Sequence, residues 1–170
     1  NQSLRGTSNV VLGRNAFADS DGDSSNYVVA IGNLAAMLDS TAGDAYVNAI
    51  GHLAGYGNKG THVNFIGNSA GEYNQASFVN AIGPFSAMYN TGGNNTAIGY
   101  EALAYHVTGG HQINAIGFQA AAYDSTVGMA YVNAIGAFSA WANKGTNVNA
   151  IGQNSAYWNN GSEVVAIGTD

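Results

Sequence analysis

The 170-residue chain has no cysteine, a single proline and few charged residues, and each shortage excludes a class of protein. Without cysteine, disulfides and thiolate metal sites are excluded. Charged residues make up 8% of the chain, against roughly 25% in an average soluble domain. Four Lys and Arg residues and a net charge of −6 are too little positive charge for a phosphate-binding surface, so we expect no nucleic-acid partner.

Long apolar runs are also missing. No stretch approaches the roughly 18 residues of a transmembrane helix, so we expect no membrane insertion. The first residues, Asn-Gln-Ser-Leu-Arg, lack the charged and apolar regions of a signal peptide. The composition is not that of a disordered chain either, because 46% of the residues are hydrophobic and ten are tyrosine.

A short repeat fills the chain. A triplet ending in glycine, most often Ala-Ile-Gly, occurs ten times at spacings of 16 to 19 residues. Residues 33–83 also align without gaps with residues 118–168, at an offset of 85, and 27 of the 51 aligned positions are identical. We therefore interpret residues 1–170 as one repeat domain that contains a duplicated five-coil block. The triplet glycines are Gly13, Gly32, Gly51, Gly67, Gly83, Gly99, Gly117, Gly136, Gly152 and Gly168.

The period predicts an all-β fold, a single β-solenoid of about ten coils of 16–19 residues. Such a coil is too short for a helix–turn–helix repeat but fits two strands of about five residues and two turns. Coils stacked about 4.8 Å apart would form a rod on the order of 45 Å long. The invariant glycine predicts either a positive φ or a close backbone approach at one corner of the coil.

Both faces of the repeated strand are apolar. Counting from the triplet glycine as zero, alternation assigns positions −1 and −3 to one face and positions −2 and −4 to the other. The −1 and −3 face, with Ile or Leu and with mainly Asn or Val, is predicted to fill the roll, its Asn amides bonded along the stack. Position +3 is always Ala or Ser, which would let a second sheet lie close to the first.

The second apolar face is predicted to be hidden against sister chains in a parallel homotrimer, because an apolar stripe along a rod implies a partner surface. The alternative is a monomer with a mildly apolar flank. The predicted interface residues are those at position −4, namely Val28, Val47, Val63, Val79, Ile113, Val132, Val148 and Val164.

The repeat resembles two families over essentially the whole chain. Repeated Ala-Ile-Gly with a small residue three places on resembles the head repeats of YadA-like trimeric autotransporter adhesins, although the 16 to 19 residue spacing is longer than theirs. Residues 94–117, NNTAIGYEALAYHVTGGHQINAIG, look more like the repeats of phage tail-fibre proteins. The resemblance implies a left-handed β-roll, trimeric assembly and an extracellular place on a virion fibre or bacterial surface.

We therefore predict a structural and adhesive fibre segment that supports attachment to host-cell receptors. Because the chain stops just after Gly168 without a polar cap, we expect it to be a piece of a longer fibre. An ice-binding solenoid is a weaker alternative, since most threonines lie in predicted turns and form no flat array.

An aromatic stripe lies at positions +5 and +6, just before the Asn or Asp that opens a turn at +7. Stacked aromatic rings could stiffen the outer sheet or seal subunit contacts. They could also bind glycans, with rings on sugar faces and polar groups on hydroxyls, so a carbohydrate-binding module is the alternative function. The candidate receptor- or glycan-binding residues are Tyr56, Tyr73, Tyr89, Tyr105, Tyr123, Trp141, Tyr157 and Trp158.

Metal and catalytic sites are weakly indicated. Asp19, Asp21 and Asp23 alternate as calcium-loop ligands do, but Ala30 stands where an EF-hand needs Glu, so we expect a solvated turn and no cofactor. The histidines His52, His62, His106 and His111 are expected to be solvated rather than metal ligands. Glu72, Glu101 and Glu163 fall in different coils, and no nucleophile–base set accompanies them, so we predict no enzyme.

Overall fold

The computed structural model describes residues 8–18, 25–41, 44–106, 112–125 and 131–169. Its ten strands, one in each coil, form a single parallel sheet in chain order, which confirms the predicted β-solenoid. The strands are β1 (Val10–Leu12), β2 (Asn26–Ile31), β3 (Asp44–Ile50), β4 (Val63–Ile66), β5 (Val79–Ile82), β6 (Asn95–Ile98), β7 (Ile113–Ile116), β8 (Val132–Ile135), β9 (Val148–Ile151) and β10 (Val164–Ile167).

Neighbouring coils are stacked in register, so each triplet residue lies beside its counterpart. Ile98 pairs with Ile116, and Ile116 pairs with Ile135. The register shifts between β2 and β3, just before Val28 pairs with Val47. Nine steps of about 4.8 Å give a rod of about 43 Å.

The interior of the coil holds the Val and Ala face of the strand, so the predicted assignment of the two faces is wrong. The predicted interface residues at position −4 are at most 3% exposed within one chain, apart from the half-buried Val164. They form the core and not a subunit interface, and burying each stabilises the fold by about 1.5–3 kcal/mol. These core residues are Val28, Val47, Val63, Val79, Ile113, Val132 and Val148.

The narrow interior explains why the faces are reversed. Positions −2 and +3 meet there, and the Ser139 hydroxyl donates a hydrogen bond to the Ala150 carbonyl at 2.8 Å. Ala opposite Ala or Ser brings the two walls close together, so the larger Ile at position −1 lies outside. Small residues at +3 thus allow close packing, as predicted, but the wall that carries them is not the predicted second sheet.

The wall opposite the sheet contains no β-strand within the described residues, contrary to the prediction of two strands per coil. We call it the turn wall, positions +1 to +8, and the strand side the sheet wall. Alternate turn-wall residues have positive φ, as at Leu103 (54°) and Tyr105 (60°). The Leu103 N–H donates to Ala120 of the following coil at 2.9 Å, and the Tyr105 N–H donates to Met88 of the preceding coil at 2.8 Å. The turn wall therefore pairs its backbone without forming a second sheet.

The triplet glycine forms the corner at which the strand passes into the turn wall. Its φ lies between 122° and 141° in all ten coils, a region that L side chains rarely adopt. A Cβ on Gly99 would also overlap the carbonyl oxygen of Gly117 in the next coil. Both reasons given for the invariant glycine are confirmed.

Phe65 shows how closely the two walls fit. It occupies position −2, where most coils carry Ala, and its ring is fully buried. Gly55 and Gly71 face it from position +4, where every other coil has a larger residue. A Cβ on Gly55 would lie 3.1 Å from the ring, and a Cβ on Gly71 would overlap it. The two glycines therefore make room for the one large side chain on this face.

Candidate functional site

The outer sheet face is formed by the outward residues at positions −5, −3 and −1 of the strands. Between Ile66 and Ile151 the Ile residues at position −1 are evenly exposed, at 36% to 42%. Between Tyr27 and Ile151, no residue at these three positions is Asp, Glu, Lys or Arg. The rod therefore presents a long, regular and charge-free surface on one side.

An amide ladder at position −3 runs along this face. Asn48 Nδ2 donates to Asn64 Oδ1 at 2.7 Å, and the same bond joins Asn114 to Asn133 and Asn133 to Asn149, each at 2.8 Å. The predicted amide-to-amide bonds are confirmed at these positions, but the prediction that this ladder is buried in the roll is wrong.

Four rings at position −5, none of them among the predicted site residues, stack beside the amide ladder. The centroids of Tyr27 and Tyr46 are 4.8 Å apart, and His62 lies between Tyr46 and Phe78 at 4.8 and 4.9 Å. The recurrence of aromatic residues five places before the triplet glycine was the available signal. His62 is exposed, as predicted, and its ring is part of this stack.

The aromatic stripe at +5 and +6 is one continuous ladder on the turn wall. Tyr73, Tyr89 and Tyr105 stack with centroids 5.2 and 5.6 Å apart and ring planes within 16° of parallel. Rings stacked in this way cover one another's faces and leave their edges to solvent, whereas sugar binding needs an accessible face. The joined rings are Tyr56, Tyr73, Tyr89, Tyr105, Tyr123, Trp141, Tyr157 and Trp158.

The ladder is not parallel throughout, because Tyr56 meets Tyr73 edge-on at 84° and Tyr123 is tilted by 59° to Trp141. Trp158 departs from parallel stacking as well. It is 58% exposed, the highest value in the ladder, and its ring is tilted by 68° to Trp141 and 73° to Tyr157. Trp141 and Tyr157 stack on each other at 4.9 Å and 9°. Trp158 lies in the last described coil, where no ring of a following coil stacks on it.

A second amide ladder, at position +7, is buried at the corner where the turn wall ends. Asn74 Nδ2 donates to Asn58 Oδ1, and Asn90 Nδ2 donates to Asn74 Oδ1, both at 2.9 Å. Asn58 Nδ2 also donates to the Gly60 carbonyl at 2.7 Å. These residues were predicted to open an ordinary turn, although the recurring Asn with Gly two places later signalled a shared structural role.

Asp39 interrupts this buried ladder with a carboxylate. Its Oδ1 accepts from the Thr41 N–H at 3.1 Å and from Asn58 Nδ2 at 3.4 Å, while its buried Oδ2 has no hydrogen-bond partner. Burial raises the pKa of Asp39 from 3.8 to about 6, and the hydrogen bonds from Thr41 and Asn58 only partly oppose that shift. The ionised side chain is therefore unfavourable at neutral pH.

The predictions for the other three histidines had different outcomes. His106 is buried rather than solvated, and its Nδ1 lies 3.0 Å from Asn90 Oδ1 in the corner ladder. His52 is exposed, with Nδ1 at 3.4 Å from Asn68 Nδ2. His111 lies outside the described residues.

Metal and catalytic groups are not brought together in the described part of the chain. There, no three His, Asp or Glu side chains lie close enough to hold a metal ion. The calcium candidates Asp19, Asp21 and Asp23 lie outside the described residues. Glu101 accepts a hydrogen bond from Gln119 of the next coil.

Comparison with known proteins gave no matching family model, no matching curated protein and no matching solved structure. Within the described ranges, no helix has the length and hydropathy to cross a bilayer. Function must therefore be argued from the rod and its two aromatic and apolar surfaces.

Proposed function

We propose that this chain is a rigid shaft segment of an extracellular fibre, of the phage tail-fibre or bacterial-adhesin kind, which supports attachment to host cells. The observation that carries the proposal is the in-register stacking of ten strands in chain order, with each strand paired only to its neighbours in sequence. A stack of this kind has a length set by the number of coils, which is what a spacer needs. The trimer implied by the sequence resemblance belongs to this proposal.

The duplicated block supports a spacer. Residues 33–83 and 118–168 are offset by 85 residues, and that offset spans five strands, for example from β3 to β8. Five coils add about 24 Å at about 4.8 Å each. Repeating such a block lengthens the rod without altering its cross-section.

A carbohydrate-binding module is the second candidate, and one observation favours it: the exposed and tilted ring of Trp158. The parallel stacking of the inner rings, such as Tyr89 on Tyr105, favours a structural ladder. We therefore propose that glycan contact, where it occurs, is confined to Trp158 and its neighbours.

Measuring the rod tests the shaft proposal. Inserting a further copy of residues 84–168 after Gly168 should extend the maximum dimension in small-angle X-ray scattering by about 24 Å, with an unchanged cross-section. Immunogold labelling of the source cells or particles should mark fibres projecting from their surface. An unchanged length, or label confined to the cell interior, would refute the shaft.

A glycan array separates the two candidates. The shaft alone predicts no binding, and it predicts that Trp141→Ala and Tyr157→Ala variants behave like the parent chain. Binding that is present in the parent and lost in these folded variants would replace the spacer by a carbohydrate-binding function. Trp158→Ala should then have the largest effect, because its ring is the most exposed.

A further inference from the structure

We propose that the stacked tyrosines of adjacent coils are a site of oxidative modification, at which pairs of rings become joined by dityrosine bonds that hold the coils together. The main site is the tyrosine run, by which we mean Tyr73, Tyr89, Tyr105 and Tyr123 on the turn wall. The proposed shaft supplies only the setting, an extracellular rod that meets oxidants, and the geometry of the rings carries the inference.

The four rings of the tyrosine run lie side by side in four consecutive coils. Neighbouring centroids are 5.2, 5.6 and 4.9 Å apart, and neighbouring ring planes are within 16° of parallel. Backbone hydrogen bonds fix this spacing, since the Tyr105 N–H donates to the Met88 carbonyl and the Tyr123 N–H to the Ala104 carbonyl, at 2.8 and 2.9 Å. The ring carbons beside each hydroxyl group therefore face the same carbons of the next ring, and they meet after a tilt of two partly exposed rings rather than after diffusion.

Packing alone does not explain the choice of residue in the aromatic ladder. All eight of its rings are Tyr or Trp, although the chain has six phenylalanines. Exposure does not require a hydroxyl group either, because Phe118 is 46% exposed, as is Tyr123, and stacks on Tyr100 at 5.3 Å and 9°. A phenol gives up an electron and a proton far more readily than a phenyl ring does. The tyrosine run is therefore reactive toward oxidants where a run of phenylalanines would be inert.

The reaction needs a one-electron oxidant, such as the oxidised haem of a peroxidase that uses hydrogen peroxide. Each of two phenols gives up one electron and its hydroxyl proton and becomes a phenoxyl radical. The unpaired electron is shared with the ring carbons beside the oxygen, and one such carbon of each ring forms the new C–C bond. The hydrogen on each bonded carbon then leaves as a proton and a proton returns to each oxygen, so the pair loses two hydrogen atoms in all. The peroxide takes up the two electrons and two protons and becomes two molecules of water.

The composition and the spacing of the chain favour such a bond. Thiols reduce phenoxyl radicals, and the chain has no cysteine. It cannot form disulfides either, so coupled tyrosines offer it another covalent link between coils. The neighbours in the tyrosine run are 16 or 18 residues apart in sequence. A cross-link over that distance removes conformational freedom from the unfolded chain and so stabilises the folded one.

Two other places in the chain provide a second instance and a control. Tyr27 and Tyr46 on the outer sheet face stack at 4.8 Å and 4°, and the same coupling is expected there. Tyr131 is 45% exposed, but Gln112 and Asn147 occupy its position in the two adjacent coils. An exposed tyrosine without a tyrosine beside it is thus present in the same molecule.

Treatment with hydrogen peroxide and a haem peroxidase tests the site. Mass spectrometry of the denatured protein should find single chains near 17.4 kDa that have lost two hydrogen atoms per bond. Peptide mapping should place the bonds at the stacked pairs, in yields roughly tenfold or more above any bond at Tyr131, because rings held side by side react without diffusion. Coupling mainly between chains, or an equal yield at Tyr131, overturns the inference.

Phenylalanine substitutions test the tyrosine run without removing its rings. Tyr89→Phe combined with Tyr123→Phe leaves no two tyrosines of the run side by side, and the yield of bonds within the run should fall roughly tenfold or more. The matched control, Tyr100→Phe with Tyr131→Phe, removes two exposed phenols outside the run and should leave that yield unchanged. A yield that survives the first pair of substitutions, or falls equally in the control, contradicts the proposal.

The stability of the coupled chain tests whether the bonds hold the coils together. Each bond within the run should raise the urea midpoint of unfolding by about 1 M, as expected for a cross-link that closes a loop of this size. The variant with Tyr89→Phe and Tyr123→Phe, treated with the same oxidant, gives the baseline. A coupled parent chain that unfolds at this baseline overturns the role of the bonds. Failure of the coupling leaves the shaft proposal intact, because scattering of the lengthened rod tests that proposal separately.

Discussion

The sheet wall and the turn wall of each coil pair their backbones with the neighbouring coils by different means. The sheet wall uses ordinary parallel strands and repeats nearly the same residues. The turn wall alternates the sign of φ and varies in sequence: position +4 is Phe17, Ala36, Gly55 or Leu103 in different coils, each with positive φ. Residues such as Leu103 rarely adopt this conformation. Hydrogen bonds to both adjacent coils hold the backbone in it whatever the side chain, and the side chain varies with the residue that it meets at position −2.

The largest expected effect comes from charging the interior side of the sheet wall. Val132→Asp places an unpaired carboxylate where the native side chain is fully buried, which costs several kcal/mol. We expect loss of the folded state, seen as the disappearance of the strand signal in far-UV circular dichroism.

Ile135→Asp is the matched control on the same strand, because the side chain at position 135 is 41% exposed. At protein concentrations low enough to keep the chain monomeric, it should cost about 1 kcal/mol in urea unfolding. Equal damage from the two substitutions would contradict the assignment of the two faces.

A smaller effect is expected where the turn wall ends in the corner ladder. Asp39→Asn removes a buried charge and introduces the amide that Asn58 supplies at the same position of the following coil. The pKa of Asp39 in the folded chain is about 6 against 3.8 unfolded, so the ionised group destabilises the fold by about 3 kcal/mol at pH 7. The variant should gain up to that amount in urea unfolding at pH 7.

The sign of the pH dependence follows from the raised pKa. As the pH falls through 6 toward 3.8, the folded parent chain takes up a proton before the unfolded chain does, so its stability rises. The gain from Asp39→Asn should therefore shrink to near zero at pH 3.5. The exposed Asp44 provides the control, and an Asp44→Asn variant with the same profile would rule out the buried carboxylate as the cause.

The smallest effect tests the contact between the two walls. Gly71→Ala should cost about 1–3 kcal/mol in the parent chain, because the added methyl overlaps the Phe65 ring. In a Phe65→Ala background it should cost less than about 1 kcal/mol, since Ala87 occupies the equivalent position with the same sign of φ. A double-mutant cycle in urea measures the difference; equal costs in both backgrounds would show that backbone conformation, and not the ring, requires Gly71.

The repeat made the register of the sheet predictable. Each triplet glycine had to mark the same point of a coil, and pairs such as Ile98↔Ile116 follow directly from the alignment. The glycine itself pointed to a corner with positive φ or close backbone contact, and Gly99 shows both. These features were accessible because the same residue recurs at one position of every coil.

The alternation of residues could not show which face of the strand points into the roll, because both faces are apolar. The decisive signal was a correlated change. Phe65 replaces Ala at position −2, and the nearby turn-wall residues Gly55 and Gly71 are glycine where the other coils have a larger residue. That pattern indicates that positions −2 and +4 meet inside the roll. The turn wall was harder to predict, since residues such as Tyr105 give no local sign of a positive φ.

The alternating direction of the turn-wall hydrogen bonds has an electrostatic consequence. The Leu103 N–H points to the following coil and the Tyr105 N–H to the preceding one, so successive peptide dipoles oppose each other along the rod. A long α-helix accumulates partial charge at its two ends, whereas opposed dipoles largely cancel. Adding coils therefore does not increase the electric field at the two ends of the rod. The rod can become longer without a change in the charged molecules that its ends attract.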